Sequence, residues 1–230
     1  MKNILFLCEG STEIFLLYKI LKKEFSIKIN KNLEENGNLN IKKINGMPLL
    51  FAEIEDIHIY IGNIDGEAKL NNYIDELCDS REFFLFNKIL FFMDADYQEG
   101  LDSGFTRTKN AISDTIHKIK SKKRDLVIEY FISPDNKNDG MTENILIEAL
   151  TCKDITCYIK NTVIKEIKKM EGHEIRNEAK STFMMIAATQ NPLRGNAPSF
   201  ISSCYNKLDK ENLYFQKIFN FIKENLDIRS

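Results

Sequence analysis

The sequence predicts an α/β protein with a mostly parallel central sheet flanked by helices, followed by a helical C-terminal part. Short apolar runs alternate with segments of helical spacing as far as about residue 150, which is typical of strand–helix units in a parallel sheet. Beyond that point the apolar spacing is helical throughout. We therefore predict an α/β domain over residues 1–150 and a helical extension, packed on it, over residues 151–230.

The predicted strands are short apolar or alternating runs, and the predicted helices have apolar residues three or four apart. We expect strands at 4–8, 27–29, 41–44, 55–62, 89–93 and 126–132. We expect helices at 14–25, 67–78, 106–122, 143–150, 155–170, 174–190 and within 208–226. The polar stretch 31–40 contains Asn36-Gly37, which is typical of a loop or hairpin turn.

Composition excludes several classes of protein. Hydrophobic residues make up 43% of the chain, enough for a core, and no apolar run approaches the ~20 residues of a membrane span. The net charge of −2 argues against a strongly basic nucleic-acid-binding surface, although a local basic patch is compatible with it. Five scattered cysteines and no secretory signal indicate reduced thiols in a cytoplasmic protein. Three histidines and no CxxC spacing make a zinc site unexpected.

The first predicted strand ends at a carboxylate, in the pair Glu9-Gly10. Ser11 and Thr12 are both candidate N-caps for the helix that follows. Because open α/β sheets bind ligands at the carboxyl ends of their strands, Glu9 is a candidate site residue. Glu13 lies four residues later and would face the same side if the helix has begun. It is either a further ligand or a first-turn glutamate favoured by the helix dipole.

A second apolar strand, 89–93, ends at Asp94-Ala95-Asp96. The two aspartates are two residues apart and would share a face of an extended strand. If this strand lies beside the first, three carboxylates converge at one edge and would repel one another without a cation. Mg²⁺ prefers oxygen ligands of this kind. Each acidic residue alone is typical of a turn or a helix start, but together they favour a metal site.

A third acidic group follows the predicted strand 126–132. It consists of Asp135, Asp139 and Glu143. One interpretation makes them further ligands of a two-metal site. The other is an Asx-rich turn that leads into a helix capped by Thr142.

The ordered set of Glu9-Gly10, Asp94-Ala95-Asp96 and the block 134–143 resembles the Toprim domain shared by topoisomerases, bacterial primases and OLD-family nucleases. It is most similar to a family of small bacterial Toprim-related proteins, over about residues 3–150. The resemblance implies a compact fold with a mostly parallel sheet, and Glu9 as general acid/base or metal ligand. It also implies that Asp94 and Asp96 hold Mg²⁺ or Mn²⁺.

The same resemblance implies a carboxylate at the position of Glu143 and an insertion within about residues 26–88, because Glu9 and Asp94 are farther apart than in a minimal Toprim unit. OLD-family nucleases use a lysine to stabilise charge on the scissile phosphate, a role that Lys180 would fill. The alternative for Lys180 is an exposed helix lysine. Arg107, Lys109 and the basic cluster 118–124 either track phosphates or end a helix.

These features predict a Mg²⁺-dependent Toprim-type nuclease that cleaves phosphodiester bonds in nucleic acid. The alternative is a non-catalytic module that binds metal, nucleotide or nucleic acid and acts with a partner protein. The OLD-family likeness suggests an ATPase as that partner.

Overall fold

A computed structural model describes residues 2–29, 41–44, 47–97, 103–190 and 195–227. The predicted turn at Asn36-Gly37 lies outside these residues. The chain divides into two compact units, Met1–Asp139 and Gly140–Ser230. The boundary predicted from the sequence, at residue 150, is eleven residues later. None of the described helices is both long and apolar enough to cross a membrane.

The described strands of the first unit form one sheet. Its strands are β1 (Lys2–Cys8), β2 (Lys28–Ile29), β3 (Ile41–Ile44), β4 (Met47–Ile54), β5 (Ile57–Asn63), β6 (Lys88–Asp94) and β7 (Val127–Ser133). They follow the order β2-β4-β5-β1-β6-β7, and β3 also pairs with β4. The neighbours β5, β1, β6 and β7 are parallel, whereas β4 runs antiparallel to β5, β2 and β3. The predicted α/β fold with a parallel central sheet is confirmed.

Among the described residues of the first unit, three helices follow strands of this sheet: α1 (Ser11–Lys23), α2 (Leu70–Asp79) and α3 (Gly104–Lys122). Short 3₁₀ turns lie at Glu67–Lys69 and Arg81–Leu85. Every residue of β6 is buried, as expected for an apolar run in the middle of a sheet. Leu5 and Leu7 of β1 join one core cluster with residues of α2, α3 and β6, and the alternation of a strand turns Phe6 to the other face.

The second unit is helical. Its described elements are α4 (Thr142–Ala149), α5 (Lys153–Tyr158), a π-helical turn (Ile159–Val163), α6 (Ile164–Lys169), α7 (Glu178–Ala188), α8 (Ala197–Cys204), a 3₁₀ turn (Tyr205–Lys207) and α9 (Leu213–Leu226). Helix α4 packs on α7 and α9. The rings of Phe183 and Phe200 meet edge to face, with centroids 5.2 Å apart. The predicted helical C-terminal part is confirmed.

Two elements differ from the predictions. No element is predicted over Met47–Ile54, which forms β4 although it contains Pro48. Helix α8 is not predicted either, because the sequence Asn196-Ala197-Pro198 at its start is typical of a break in the chain. Asn196 accepts a hydrogen bond from the Ser199 N–H, and the first turn of a helix tolerates proline.

Candidate functional site

The acidic residues after β1 and β6 lie at one edge of the sheet. Strands β1 and β6 are parallel neighbours, and Cys8 pairs with Phe92. Asp94, the last residue of β6, pairs with Ser133, the last residue of β7. We call this side of the first unit the carboxyl edge. That the strands ending in Glu9 and Asp94 are neighbours is a condition of the predicted site, and the pairing of β1 with β6 meets this condition.

Glu9 reaches across from β1 to the end of β6. Its N–H donates to the Phe92 carbonyl at 3.0 Å, which continues the ladder one residue past the strand. Its Oε2 accepts a hydrogen bond from the Asp94 N–H at 2.9 Å. The Asp94 residue is only 6% exposed. The carboxylate of Glu9 therefore lies against the backbone that carries Asp94.

Asp96 does not continue strand β6. The strand ends at Asp94, and two residues later the φ of Asp96, +56°, is in the left-handed region. The predicted shared face of Asp94 and Asp96 assumes extended geometry, which stops at Asp94, so alternation does not fix the direction of Asp96. Instead, Asp96 Oδ2 lies 3.8 Å from Nη2 of Arg107.

The start of helix α3 packs tightly on the segment from Asp94 to Asp96. A Cβ added to Gly104 would lie 2.2 Å from the Ala95 carbonyl oxygen and 2.5 Å from that of Asp96. The fully buried Thr108 donates from Oγ1 to the Asp94 carbonyl at 3.2 Å. Neither Gly104 nor Thr108 is among the site residues predicted from the sequence, because their role depends on how α3 packs on the end of β6.

An ion pair links the same helix to the turn after β5. Arg107 Nη2 donates to Glu67 Oε2 at 3.1 Å. Gly66, the residue before Glu67, donates its N–H to the Glu9 carbonyl at 3.0 Å. Arg107 therefore lies beside the acidic strand ends, whereas sequence reasoning grouped it with the later basic cluster.

Glu13 is buried and belongs to the start of α1. Its Oε2 accepts a hydrogen bond from the Gly10 N–H at 2.9 Å. The helix begins at Ser11 with Gly10 as its N-cap, so neither Ser11 nor Thr12 is the cap that the sequence suggests. Burial, and to a lesser extent the charge of Glu13, raises the pKa of the Cys8 thiol well above its ordinary value.

The acidic residues after β7 make contacts typical of a turn and a helix cap. Asp135 Oδ1 accepts from the N–H groups of Lys137 and Asn138, at 3.2 and 2.9 Å. Its Oδ2 accepts from Asn138 Nδ2 at 3.0 Å. Asp139 Oδ1 accepts from the Phe105 N–H at 2.8 Å, in the first turn of α3. These contacts agree with the turn interpretation of this group.

The other two predicted site residues belong to the second unit. Glu143 is the second residue of α4 and is 4% exposed. It follows Thr142, which is the first helical residue, whereas Met141 is the N-cap. Lys180 is exposed in the first turn of α7, and its N–H donates to Asn177 Oδ1 at 2.8 Å.

Two lysines of the predicted basic cluster 118–124 contact backbone carbonyls far from the carboxyl edge. Lys123 Nζ donates to the carbonyls of Phe84 and Phe86, at 2.9 and 2.6 Å. Lys120 Nζ donates to the carbonyls of Arg124 and Leu126. Phe86 and Leu126 lead into β6 and β7, so these lysines lie at the opposite side of the sheet, which we call the amino edge.

The oxygen donors at the carboxyl edge fit the chemistry of Mg²⁺ or Mn²⁺. Over the part of the chain that the structure describes, no group of three or more His, Cys, Asp or Glu side chains is arranged to hold a metal ion. Mg²⁺, however, usually keeps several waters and is bound by one or two carboxylates together with substrate phosphates. Glu9 and Asp94, from adjacent strand ends, suit such a site.

The family model described as "Protein of unknown function (DUF3226)" matches residues 3–227. The chain belongs to this family. A hypothetical protein from Pyrococcus horikoshii OT3 shares its fold, with a TM-score of 0.50 and 16% identity over 99% of this chain and 92% of that one. A 5'-methylthioadenosine/S-adenosyl homocysteine nucleosidase from Helicobacter pylori has 11% identity over 98% of both chains and a TM-score of 0.32, too low for any inference. No curated protein matches the chain. The Toprim resemblance stays a hypothesis.

Proposed function

We propose that this protein is a Mg²⁺- or Mn²⁺-dependent enzyme that cleaves phosphodiester bonds in nucleic acid, with its site at the carboxyl edge. The observation that carries the proposal is the 2.9 Å hydrogen bond from the Asp94 N–H to Glu9 Oε2. It joins two acidic strand ends at the edge where open α/β sheets bind ligands. The Toprim resemblance of the same residues supports the choice of reaction.

The proposed roles follow from the contacts of each residue. The Asp94 N–H donates to the Glu9 carboxylate and favours its ionised form, which suits a metal ligand. The role of Glu9 as general acid/base rests on the Toprim resemblance. Asp94 is held at the last position of β6, and its backbone is fixed on both sides by Thr108 and Glu9. Asp96 is more exposed to solvent than Asp94. When bound, the cation would supply an activated water and charge stabilisation at the phosphate.

The remaining predicted ligands have less support. Glu13 and Asp135 accept hydrogen bonds from their own helix start and turn. We keep Glu143 and Lys180 as candidates on the Toprim and OLD-family resemblance alone. The core of the proposed site is therefore Glu9, Asp94 and Asp96.

One observation favours a second candidate function. The guanidinium of Arg107 lies 3.8 Å from Asp96 and offsets part of its charge, which weakens the attraction for a second cation. A one-metal edge suits a module that binds metal, nucleotide or nucleic acid and acts with a partner protein, such as an ATPase. For either function we propose a cytoplasmic location, supported by five cysteines that are all unpaired with one another.

The two candidates differ in a cleavage assay. Purified protein is incubated with single- and double-stranded DNA and RNA, in Mg²⁺, in Mn²⁺ and in chelator. We expect metal-dependent cleavage that falls by at least about 100-fold in Glu9→Gln and Asp94→Asn. Asp75→Asn, an exposed carboxylate on α2, serves as the matched control and should keep full activity.

Cleavage that is unchanged in both Glu9→Gln and Asp94→Asn would refute the proposed site. Metal or nucleic-acid binding that depends on Asp94, with no turnover on any substrate, would instead favour the binding module.

A further inference from the structure

The strand ends that carry Glu9 and Asp96 are connected by a chain of contacts. The turn after β5 is bound to Glu9 through the hydrogen bond from Gly66, at 3.0 Å. The next residue, Glu67, accepts from Arg107 Nη2 at 3.1 Å, and the same nitrogen lies 3.8 Å from Asp96 Oδ2. One side chain of α3 thus contacts both sides of the carboxyl edge.

Asp96 needs an external contact of this kind. Its left-handed backbone lies outside β6, so the strand does not orient its carboxylate. Packing against Gly104 fixes its backbone, but packing does not direct the side chain. Arg107 is partly exposed, at 39% of its side chain, yet its Nε is buried. A guanidinium held in one orientation presents its donors in a fixed geometry.

We propose that the Glu67–Arg107 pair is a brace, in which Arg107 is the positioning residue that sets the carboxylate of Asp96 relative to Glu9. Glu67 orients the guanidinium from the side of Glu9 through the shorter and less exposed contact, at 3.1 Å. The contact with Asp96 is 3.8 Å long and both side chains are more than a third exposed, so it adds little to stability, and its proposed effect is on the direction of the Asp96 carboxylate. Arg107 does not itself contact the reacting atoms in this account. The consequence for metal affinity rests on the proposed function, whereas the brace itself does not.

Hydrogen exchange of single amides in chelator tests the brace without any metal. The informative amides are those of Gly66 and Asp94, which bond to the Glu9 carbonyl and carboxylate. In Arg107→Gln we expect both to exchange about tenfold faster, with the amides of β1 unchanged, because only the local contacts are lost. Arg107→Lys, which keeps a cation for Glu67 and Asp96, should restore most of the protection. Lys109→Gln, on the same helix, is the matched control.

A parallel Mn²⁺ titration separates the two proposals. If the brace sets Asp96, Arg107→Gln should bind Mn²⁺ about fivefold more weakly or worse, even though the substitution removes a positive charge beside Asp96, and Arg107→Lys should recover part of the affinity. Equal or tighter Mn²⁺ binding in Arg107→Gln would mean that Arg107 acts through its charge alone and would overturn the brace. A wild-type protein that binds no Mn²⁺ would count against the proposed function, while exchange still decides the brace. Unchanged exchange at Gly66 and Asp94, or exchange that rises equally in β1, would overturn the brace.

Discussion

The two edges of the parallel strands in the first unit use their charged residues differently. At the carboxyl edge, Glu9 and Asp94 meet across neighbouring strands, and Arg107 bridges Glu67 and Asp96. At the amino edge, Lys120 of α3 and Lys123, which caps its C-terminus, donate to backbone carbonyls that lead into β6 and β7. The carboxyl edge brings acidic side chains together, and we propose it as the site, whereas the lysines of the amino edge donate to carbonyls just before the strands begin.

A basic run in the sequence is therefore not in itself a phosphate-binding surface. Lys123 contacts the carbonyls of both Phe84 and Phe86 and is only partly exposed. A buried or half-buried carbonyl needs a donor, and a long lysine side chain can supply one while its stem covers apolar surface. Arg107, fifteen or so residues earlier on the same helix, lies at the other edge because the helix is long enough to span the sheet.

The largest expected effect is at the carboxyl edge, in Gly104→Ala. The added methyl group would overlap the carbonyls of Ala95 and Asp96, so the segment that carries both aspartates must move. We expect a loss of about 3 kcal/mol in the free energy of unfolding, the upper part of the range for overpacking. Urea denaturation measures it. Gly195→Ala, where nothing lies within 4 Å of the added Cβ, should change stability little.

The next effect is at the amino edge, in Lys123→Met. This substitution keeps the apolar stem but removes the donor to the carbonyls of Phe84 and Phe86. We expect a loss of about 1–2 kcal/mol in stability, with Mn²⁺ and nucleic-acid binding unchanged. Calorimetric unfolding measures the loss of stability, and a titration with Mn²⁺ and with nucleic acid checks that binding is unchanged. Weaker nucleic-acid binding at unchanged stability would break the distinction between the edges.

The pH dependence of the free energy of unfolding tests whether the thiol of Cys8, the residue before Glu9, is excluded from water. Cys8 is fully buried there, and burial raises the pKa of its thiol above the ordinary value of 9.0. Above pH 9 the unfolded thiol releases its proton while the folded one keeps it, so stability must fall as the pH rises. Between pH 9 and 10 the loss should be about 1 kcal/mol.

Denaturant unfolding at both pH values measures this loss, and Cys8→Ala should reduce the dependence by that amount. Cys157, which is exposed, provides the control, since Cys157→Ala should leave the dependence as in the wild type. If the free energy of unfolding changes equally with pH in the wild type and in Cys8→Ala, the Cys8 thiol is accessible to water in the folded protein.

The smallest effect belongs to a lysine outside both edges. Lys118 pairs with Asp75 on α2, and both side chains are more than a third exposed. Exposed ion pairs contribute little because water screens them. Lys118→Met should lower the unfolding free energy by less than about 0.5 kcal/mol, measured beside Lys123→Met. A loss equal to that of Lys123→Met would remove the contrast between carbonyl-bound and solvent-paired lysines.

The sequence was sufficient for the strands that carry Glu9 and Asp94, because buried apolar runs that stop at a carboxylate are a local pattern. It could not supply the residues that hold them. Glu67 and Thr108 reach the carboxyl edge from a turn and a helix whose positions depend on the order of the strands. The left-handed backbone of Asp96 likewise depends on the close approach of Gly104, which spacing along the chain does not encode.

Separation along the chain does not decide which residues share an edge. Arg107 and the cluster 118–124 are close in sequence but belong to opposite edges. Asp94 ends its strand, whereas Asp135 and Asp139 follow theirs and accept hydrogen bonds from a turn and a helix start. A carboxylate followed by several polar residues favours local hydrogen bonds, which is the physical reason that such residues are common in turns.

A Mn²⁺ titration followed by electron paramagnetic resonance tests whether the carboxyl edge is a metal site, because free and bound Mn²⁺ are distinguished without any assumption about substrate. We expect the wild type to bind Mn²⁺ and expect Glu9→Gln and Asp94→Asn each to weaken binding by at least about tenfold. Asp75→Asn should bind as the wild type does. Equal Mn²⁺ affinity in the wild type, Glu9→Gln and Asp94→Asn would contradict the claim that these two strand ends form a metal site.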